Sequence, residues 1–180
     1  MMTGYRLALL DGDEAPRVRQ FCLATIAEAF GHGYHPEWHN DLDRLGSAHD
    51  DDYATERGGA FLVAWRGGEV VGCGGLRSLV TRPNLCERFA GRYPDPGTVG
   101  SLWRIYVAPT HRGGGLGCLL ATRLEAIGAS VGYRTSYLHT STLRQPTVAF
   151  WTKRGYLAFD HDDAPEDATL HMDKHLPVRH

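Results

Sequence analysis

The feature that most constrains the fold of this chain is a glycine-rich stretch, Arg112 to Gly117, between a strand-like run and a helix-like run. Residues Ser101 to Val107 are aromatic and β-branched and Pro109 follows them, which predicts a strand. Leucine and isoleucine then recur at three- and four-residue spacing from Leu116 to Ile127, which predicts the buried face of a helix. Because such a turn leaves the first helical N–H groups unpaired, the sequence predicts a phosphate or pyrophosphate site there.

Two common nucleotide-binding motifs do not fit this stretch. A P-loop requires a lysine and a Ser or Thr after its last glycine, whereas Cys118 and Leu119 follow Gly117. The dinucleotide pattern Gly-x-Gly-x-x-Gly would place its last glycine on Cys118 or Leu120. A nucleotide-binding protein is therefore disfavoured.

Composition and charge favour an ordinary globular domain. The 180 residues predict a single domain over 1–180, since a domain averages roughly 150 residues. A net charge of -2 gives no reason to expect nucleic acid or an anionic membrane as a partner. No run is long and apolar enough for a signal peptide or a membrane span. The four cysteines are far apart without a CxxC pair, which predicts reduced thiols, a cytoplasmic location and no metal.

The rest of the chain alternates strand and helix patterns. In chain order they are a strand at Tyr5–Leu10, a helix at Ala15–Phe30, a helical segment within His32–Glu56, a hairpin of Ala60–Trp65 and Glu69–Leu76, the central strand and helix, a strand at Ser136–Ser141, a helix at Thr147–Lys153, and a hairpin of Tyr156–Phe159 and Ala168–Met172 around an Asp160–Asp167 turn. Thr81–Gly97 holds three prolines and predicts a long connection without a regular element. Gly72, Gly74 and Gly75 indicate a bulge or the close approach of a ligand.

The segment His32–Glu56 is unusually rich in acidic residues and histidine. It holds seven carboxylates against the single cation Arg44, and four histidines. Three interpretations stay open. The carboxylates could face a cleft and attract a cationic amine; His32, His35 and His39 could hold a metal ion; or the segment is a solvated acidic helix–loop–helix.

Three motifs together resemble the GNAT N-acetyltransferase superfamily. The run Leu102-x-Arg104-Ile105-Tyr106-Val107 resembles its central strand, and Arg112-x-x-Gly115-x-Gly117 resembles its acyl-CoA pyrophosphate loop. Leu138-x-Thr140 and Ala149-Phe150-Trp151-x-Lys153-x-Gly155-Tyr156 resemble a later strand, helix and turn of that family. The run Thr140–Leu143 is similar to the camello-like branch.

The resemblance implies a fold and a cosubstrate. The implied fold is an α/β, GNAT-like, mostly antiparallel mixed sheet of about six to seven strands with about four flanking helices and a splayed central strand pair. The implied cosubstrate is acetyl-CoA. The residues assigned to binding it are Ile105, Tyr106, Val107, Arg112, Gly113, Gly114, Gly115, Leu116, Gly117, Cys118 and Arg144.

The same resemblance assigns catalytic roles and leaves two of them without a clear occupant. The amide of Val107 would stabilise the oxyanion of the thioester under attack. Ser101 stands where the family often has a glutamate base, and Trp151 where it often has a tyrosine acid, although an indole is a very poor acid. His139, with an ordinary pKa near 6.5, is a candidate base or a histidine satisfied within the sheet. The catalytic candidates are Val107, His139 and Trp151.

These observations together predict an N-acetyltransferase that moves an acetyl group from acetyl-CoA directly to the primary amine of a small cationic molecule. The missing base and acid favour one alternative, a non-catalytic acyl-CoA-binding module. The expected partner is a small-molecule amine, with no nucleic acid and no membrane. Dimers are common in the family, so the resemblance allows a homodimer.

Overall fold

The computed structural model describes residues 4–162 and 168–177. The strands are β1 (Arg6–Leu9), β2 (Ala60–Arg66), β3 (Glu69–Ser78), β4 (Val99–Val107), β5 (Thr135–Ser141), β6 (Leu157–His161) and β7 (Thr169–His175). The helices are α1 (Ala15–Phe30), α2 (Pro36–Asp43), α3 (Pro83–Arg88), α4 (Leu116–Val131) and α5 (Gln145–Lys153). Among these described helices, none combines the length and the apolar character that crossing a membrane requires.

The seven strands form one mixed sheet in the order β1-β2-β3-β4-β5-β7-β6. Every neighbouring pair is antiparallel except β4 and β5, which run parallel over three residue pairs from Val99–Thr135 to Ser101–Tyr137. Within the described chain the pairing of these two strands stops at Ser101 and Tyr137, although both strands continue beyond these residues. The predicted fold class, a mostly antiparallel sheet with a splayed central pair, is confirmed.

Helices cover both faces of the sheet, because the strands alternate their side chains between two cores. On β2, Leu62 and Ala64 join α4 in one core, while Phe61 and Val63 join α1 and the segment after α2 in the other. The α3 region adds a smaller cluster around Tyr137 on the α1 face. The sheet therefore has an α4 face and an α1–α3 face.

Two sequence-based expectations are wrong in detail. The connection predicted over Thr81–Gly97 contains α3, whose Pro83 stands in the first turn, where a missing N–H costs nothing. Asp160 and His161 belong to β6 instead of the predicted turn, since both pair with β7. The remainder of that turn, 163–167, lies outside the described residues.

The glycines of β3 are explained by packing inside the protein. A Cβ on Gly74 would lie 2.5 Å from Cδ1 of Ile105, and one on Gly75 would lie 2.3 Å from Cε1 of Tyr53. The predicted bulge is present opposite these glycines, since β4 carries one extra residue between its pairs with Cys73 and Gly75. The close approach at Gly74 and Gly75 is therefore by neighbouring side chains.

Candidate active site

The splay between β4 and β5 brings two predicted features together. Their last register pair is Ser101 and Tyr137. Two residues further along, and so on the same face, the rings of Trp103 and His139 meet edge to face with centroids 4.6 Å apart. The indole Nε1 donates to the Oγ of Ser101 at 2.6 Å, so the serine at the usual base position supports Trp103.

Beyond the splay, one edge of β4 has no strand partner among the described residues. The N–H of Ala108 donates to the carbonyl of Val71 on β3 at 2.9 Å. Because successive N–H groups of a strand point to opposite edges, the N–H of Val107 points to the edge away from β3. The carbonyl of Val107 lies on that same edge and accepts a hydrogen bond from Nε of Arg112 at 3.0 Å. This edge offers the backbone groups that an extended ligand needs.

The glycine stretch forms an open turn into α4. Gly115 is the N-cap with φ 86°, a left-handed conformation that glycine adopts without steric cost, and it has no side chain to cap the helix. The first N–H groups of α4 have no partner within the helix, and the positive end of its dipole lies there. Gly113 and Gly114 are exposed. This arrangement suits a phosphate-bearing ligand.

The side chain of Arg112, one of the residues assigned to the cosubstrate, makes two contacts within the protein. Its Nη2 lies 3.3 Å from a carboxylate oxygen of Glu28 on α1, and its Nε binds Val107. The side chain therefore ties the loop to the end of β4. The guanidinium of Arg144, another residue assigned to the cosubstrate, lies 4.3 Å from the ring centroid of Phe30 at the end of α1.

Trp151 lies inside the α4-side core. It is 5% exposed, and its ring packs edge to face against Phe150 at 4.8 Å and Tyr156 at 5.2 Å. Phe150 in turn lies next to Gly117, where a Cβ would be 3.8 Å from the phenyl ring. The tryptophan therefore shapes the wall behind the glycine turn.

The bulge in β4 is centred on Arg104. Its φ of 54° is the one positive value among the described residues other than glycine, and such a conformation is strained for a side chain of this type. It lets Arg104 point to the α1–α3 face together with Trp103. There its Nη2 and Nε donate to the two oxygens of Asp41 at 2.7 and 3.0 Å, and these bonds hold the pKa of Asp41 at about 2.

The environment of His139 makes it a neutral group. Burial, together with the charges of His171, Arg82, Arg104 and Arg77, lowers its pKa to about 3. A pKa this far below the ordinary value makes the imidazole a weak proton acceptor, which favours the alternative of a histidine satisfied within the sheet.

Four of the seven carboxylates of the acidic segment are held by ion pairs or by backbone N–H groups. Asp41 binds Arg104, and Asp52 binds the buried Arg77 at 2.7 Å. Asp51 accepts the backbone N–H groups of Gly46 and Tyr53, while Asp43 pairs with Arg19. Glu37, Asp50 and Glu56 lie exposed on the same segment, so the expectation of a cationic acceptor stays a prediction.

The histidines of the same segment form an aromatic cluster. The ring centroids of His32 and His35 are 5.2 Å apart, and those of His32 and His39 are 5.9 Å apart. The Nδ1 of His39 accepts the N–H of His35 at 2.9 Å, so this nitrogen is already used. Within residues 4–162 and 168–177, no group of three potential ligands has the geometry to hold a metal ion.

Sequence reasoning missed the arginines that line the α1–α3 side of the splay. Arg77 lies on β3 and Arg82 precedes α3, and both stack on Trp103. The one available signal was the alternation of β3, which places Arg77 on the same face as Cys73 and Gly75. Nothing in the local pattern shows that Arg82 turns back towards β4.

Comparison with protein families agrees with this geometry. The model described as "Acetyltransferase (GNAT) family" matches residues 23–156. This range includes β4, the glycine turn, α4 and α5.

Two curated relatives match different shares of the chain. A protein named IAA acetyltransferase from Azospirillum brasilense is 31% identical over 96 residues, which is 53% of this chain and 53% of that protein. The Uncharacterized N-acetyltransferase YjgM of Escherichia coli K12 is 28% identical over 169 residues, 93% of this chain and 87% of the relative. The matched region thus spans about half the length of the first relative and most of the second.

Solved structures share the fold over almost the whole chain. An acetyltransferase of the GNAT family from Staphylococcus aureus Mu50 has a TM-score of 0.74 at 16% identity, with 96% of this chain and 99% of that one covered. The PaiA N-acetyltransferase of Thermoplasma acidophilum, solved in complex with coenzyme A, has a TM-score of 0.67 at 16% identity over 96% and 99%. At this identity the likeness concerns the fold, and the family model covers most of the chain. This protein therefore belongs to the GNAT family of acetyltransferases.

Proposed function

We propose that the protein transfers the acetyl group of acetyl-CoA to the primary amine of a small molecule, by direct attack within a ternary complex. One observation carries the proposal. The edge of β4 that lacks a strand partner and the uncapped N-terminus of α4 meet at one point, where Arg112 joins the loop to the carbonyl of Val107. An extended ligand with a phosphate group fits this pair of features.

The chemistry needs one bond exchange. The neutral amine nitrogen attacks the thioester carbonyl carbon, so that a C–N bond forms and the C–S bond breaks. The amine releases one proton and the thiolate takes up one proton. Negative charge builds on the carbonyl oxygen during the attack. We assign its stabilisation to the N–H of Val107, since a fixed donor needs no reorganisation at the moment of reaction.

The other predicted site residues receive supporting roles in this proposal. The residues of the glycine turn, from Arg112 to Cys118, hold the pyrophosphate with their backbone N–H groups, and Ile105–Val107 pairs with the pantetheine arm. Trp151 fixes the position of Phe150 behind the turn. His139 acts as a neutral wall of the acceptor side, because its pKa of about 3 excludes a charged imidazole near neutral pH.

The alternative, an acyl-CoA-binding module without catalysis, has one observation in its favour. Ser101 and Trp151 occupy the positions where the family often has its base and acid, and both are buried in this fold. Release of the CoA thiol in the presence of any amine separates the two functions, since a binding module would hold acetyl-CoA without turning it over.

Cysteine labelling tests the cosubstrate site directly. Cys118 lies in the first turn of α4 and is exposed, whereas Cys22 and Cys73 are buried and Cys86 is half-buried. We expect saturating acetyl-CoA to slow alkylation of Cys118 by iodoacetamide, with the labelling of Cys86 unchanged as the internal control. Protection by ATP or NAD to the same extent, or no protection by acetyl-CoA, would contradict the assignment.

Thermal denaturation provides the second measurement. At a hundred times its dissociation constant, a ligand of the native state adds about 2.7 kcal/mol. Since each kcal/mol moves the midpoint of a chain of this size by about 2–4 °C, we expect a shift of roughly 5–11 °C with acetyl-CoA. The controls are ATP and NAD, which should produce no comparable shift.

A further inference from the structure

The indole of Trp103 is surrounded by cations on the α1–α3 face of the sheet. The guanidinium carbon of Arg77 lies 3.9 Å from the ring centroid, and that of Arg82 lies 4.7 Å from it. Arg104 is 5.9 Å away, and the ring of His139 contacts the same indole from β5. Three arginines therefore converge at the point where β4 and β5 separate.

Carboxylates neutralise only part of this charge. Asp41 pairs with Arg104, and Asp52 pairs with Arg77. The half-buried guanidinium of Arg82 has no hydrogen bond or ion pair within the part of the chain that the structure describes. It lies over the indole of Trp103 in a cation–π contact. One positive charge beside the indole is thus uncompensated.

Arg77 shows a second unmatched feature. Its side chain is 1% exposed, and its Nη1 donates to Asp52 at 2.7 Å. Its Nε and Nη2 are buried without an acceptor among the described residues. Buried donors are rarely left unpaired, because each one costs the free energy of its lost hydration. Because these donors are enclosed, they add an unmatched positive surplus to the cluster, and the half-buried Arg82 is the member of it that a ligand can reach.

We propose that the acceptor amine carries a carboxylate, that Arg82 binds this carboxylate beside Trp103, and that the buried Arg77 adds to the positive potential there. The inference deepens the proposed N-acetyl transfer and rests on it. Guanidinium groups form paired, charge-assisted hydrogen bonds with carboxylates, and this geometry distinguishes them from a diffuse positive potential. The indole supplies an apolar surface for the carbon skeleton between the carboxylate and the amine.

The same cations also help to explain how an amine could react here without a glutamate base. A positive potential disfavours the protonated form of a nearby amine and so lowers its pKa. The neutral form, which is the nucleophile, becomes more abundant at a given pH. Because Ser101 and the neutral His139 provide no strong base, such an effect of Arg82 on the acceptor would raise the reactive fraction.

The test compares L-amino acids with their methyl esters as acceptors, with release of the CoA thiol as the readout. Esterification removes the negative charge and keeps the amine. Arg82→Gln removes the uncompensated cation, and Arg82→Lys retains charge without the planar donor pair. Arg123→Gln, an exposed position on α4, is the matched control. Arg77 is left intact, because breaking its buried ion pair would destabilise the fold.

We expect Arg82→Gln to lower kcat/KM for the acids by about 10–100-fold, while the esters change by less than about twofold. Arg82→Lys should fall between wild type and Arg82→Gln, and Arg123→Gln should match wild type. Each acceptor is compared with itself across variants, so the different amine pKa values of acid and ester cancel. Unchanged thermal midpoints verify that the variants are folded.

Three results would overturn the inference, and they differ in whether the proposed N-acetyl transfer also fails. Equal losses for acids and esters, or turnover of esters without turnover of acids, would exclude a carboxylate at Arg82 and leave N-acetyl transfer intact. A protein that binds acetyl-CoA yet acetylates no amine in the panel would remove the proposed function together with the inference.

Discussion

At the scale of single residues, His139 shows how far a local environment departs from the ordinary properties of a side chain. Burial and the positive charges of Arg77, Arg82 and Arg104, together with His171, lower its pKa to about 3. The proton is therefore absent at every pH where an acetyltransferase assay is normally run. A role for this ring depends on its shape and its hydrogen bonding.

The first prediction concerns the pH dependence of activity. We expect His139→Gln to lower kcat/KM by the same factor at pH 6 as at pH 8, because the ring it replaces is neutral at both values. The measurement is the pH–rate profile of the two proteins with one acceptor. A loss that differs between pH 8 and pH 6, in either direction, would show that His139 titrates in this range and would contradict the low pKa.

The sequence indicates several residues of the candidate site, but it does not show the electrostatic environment of their side chains. It predicts the strand that ends at Val107 and the glycine turn after it, because both are fixed by local structure. It does not show the environment of His139 or of the acidic segment, because their electrostatics depend on Arg77 and Arg104, which reach them from other strands. Local sequence contains no information on such long-range charge pairing.

At the scale of elements, α4 and the turn before it are the best-predicted part of the chain. The leucine spacing predicts the buried face of α4, and Leu116, Leu120 and Leu124 are indeed buried. The same reasoning missed α3, because three prolines between 81 and 97 indicate a loop. A proline in the first turn is compatible with a helix, and composition alone does not separate these cases.

The second prediction separates two glycines of the turn. Gly115 has φ 86°, so Gly115→Ala should cost about 1–2 kcal/mol and lower the thermal midpoint by about 2–8 °C. Gly117 is helical, and a Cβ there would lie 3.7 Å from Val107 and 3.8 Å from Phe150, which are ordinary contacts. Gly117→Ala should therefore leave the midpoint unchanged or raise it slightly. Equal shifts in the two alanine variants would contradict the left-handed cap.

At the scale of the whole molecule, buried histidines make the protein sensitive to acid. Burial lowers the pKa of His39, His139 and His171 below the ordinary value of 6.5. When the pH falls below that value, the unfolded chain takes up protons that the native state does not bind. The free energy of unfolding must then decrease as the pH falls from about 6.5 towards 3.

The third prediction gives this effect a magnitude. With a native pKa of about 3, His139 alone should reduce the free energy of unfolding by about 2 kcal/mol at pH 5 relative to pH 8. Urea denaturation at the two pH values measures the change. His139→Gln should lose less stability on acidification than the wild-type protein does. The same loss in both proteins would assign the acid sensitivity to other groups.

The short pairing of β4 with β5 also affects how the fold holds together. The sheet consists of two sub-sheets, β1–β4 and β5–β7–β6, whose backbones join over three residue pairs in the described chain. A molecule lying along the edge of β4 would bridge these sub-sheets beyond Ser101 and Tyr137, where the described parts of β4 and β5 no longer pair. Binding there would make the two sub-sheets unfold together. A ligand bound between them would therefore also increase the cooperativity of unfolding.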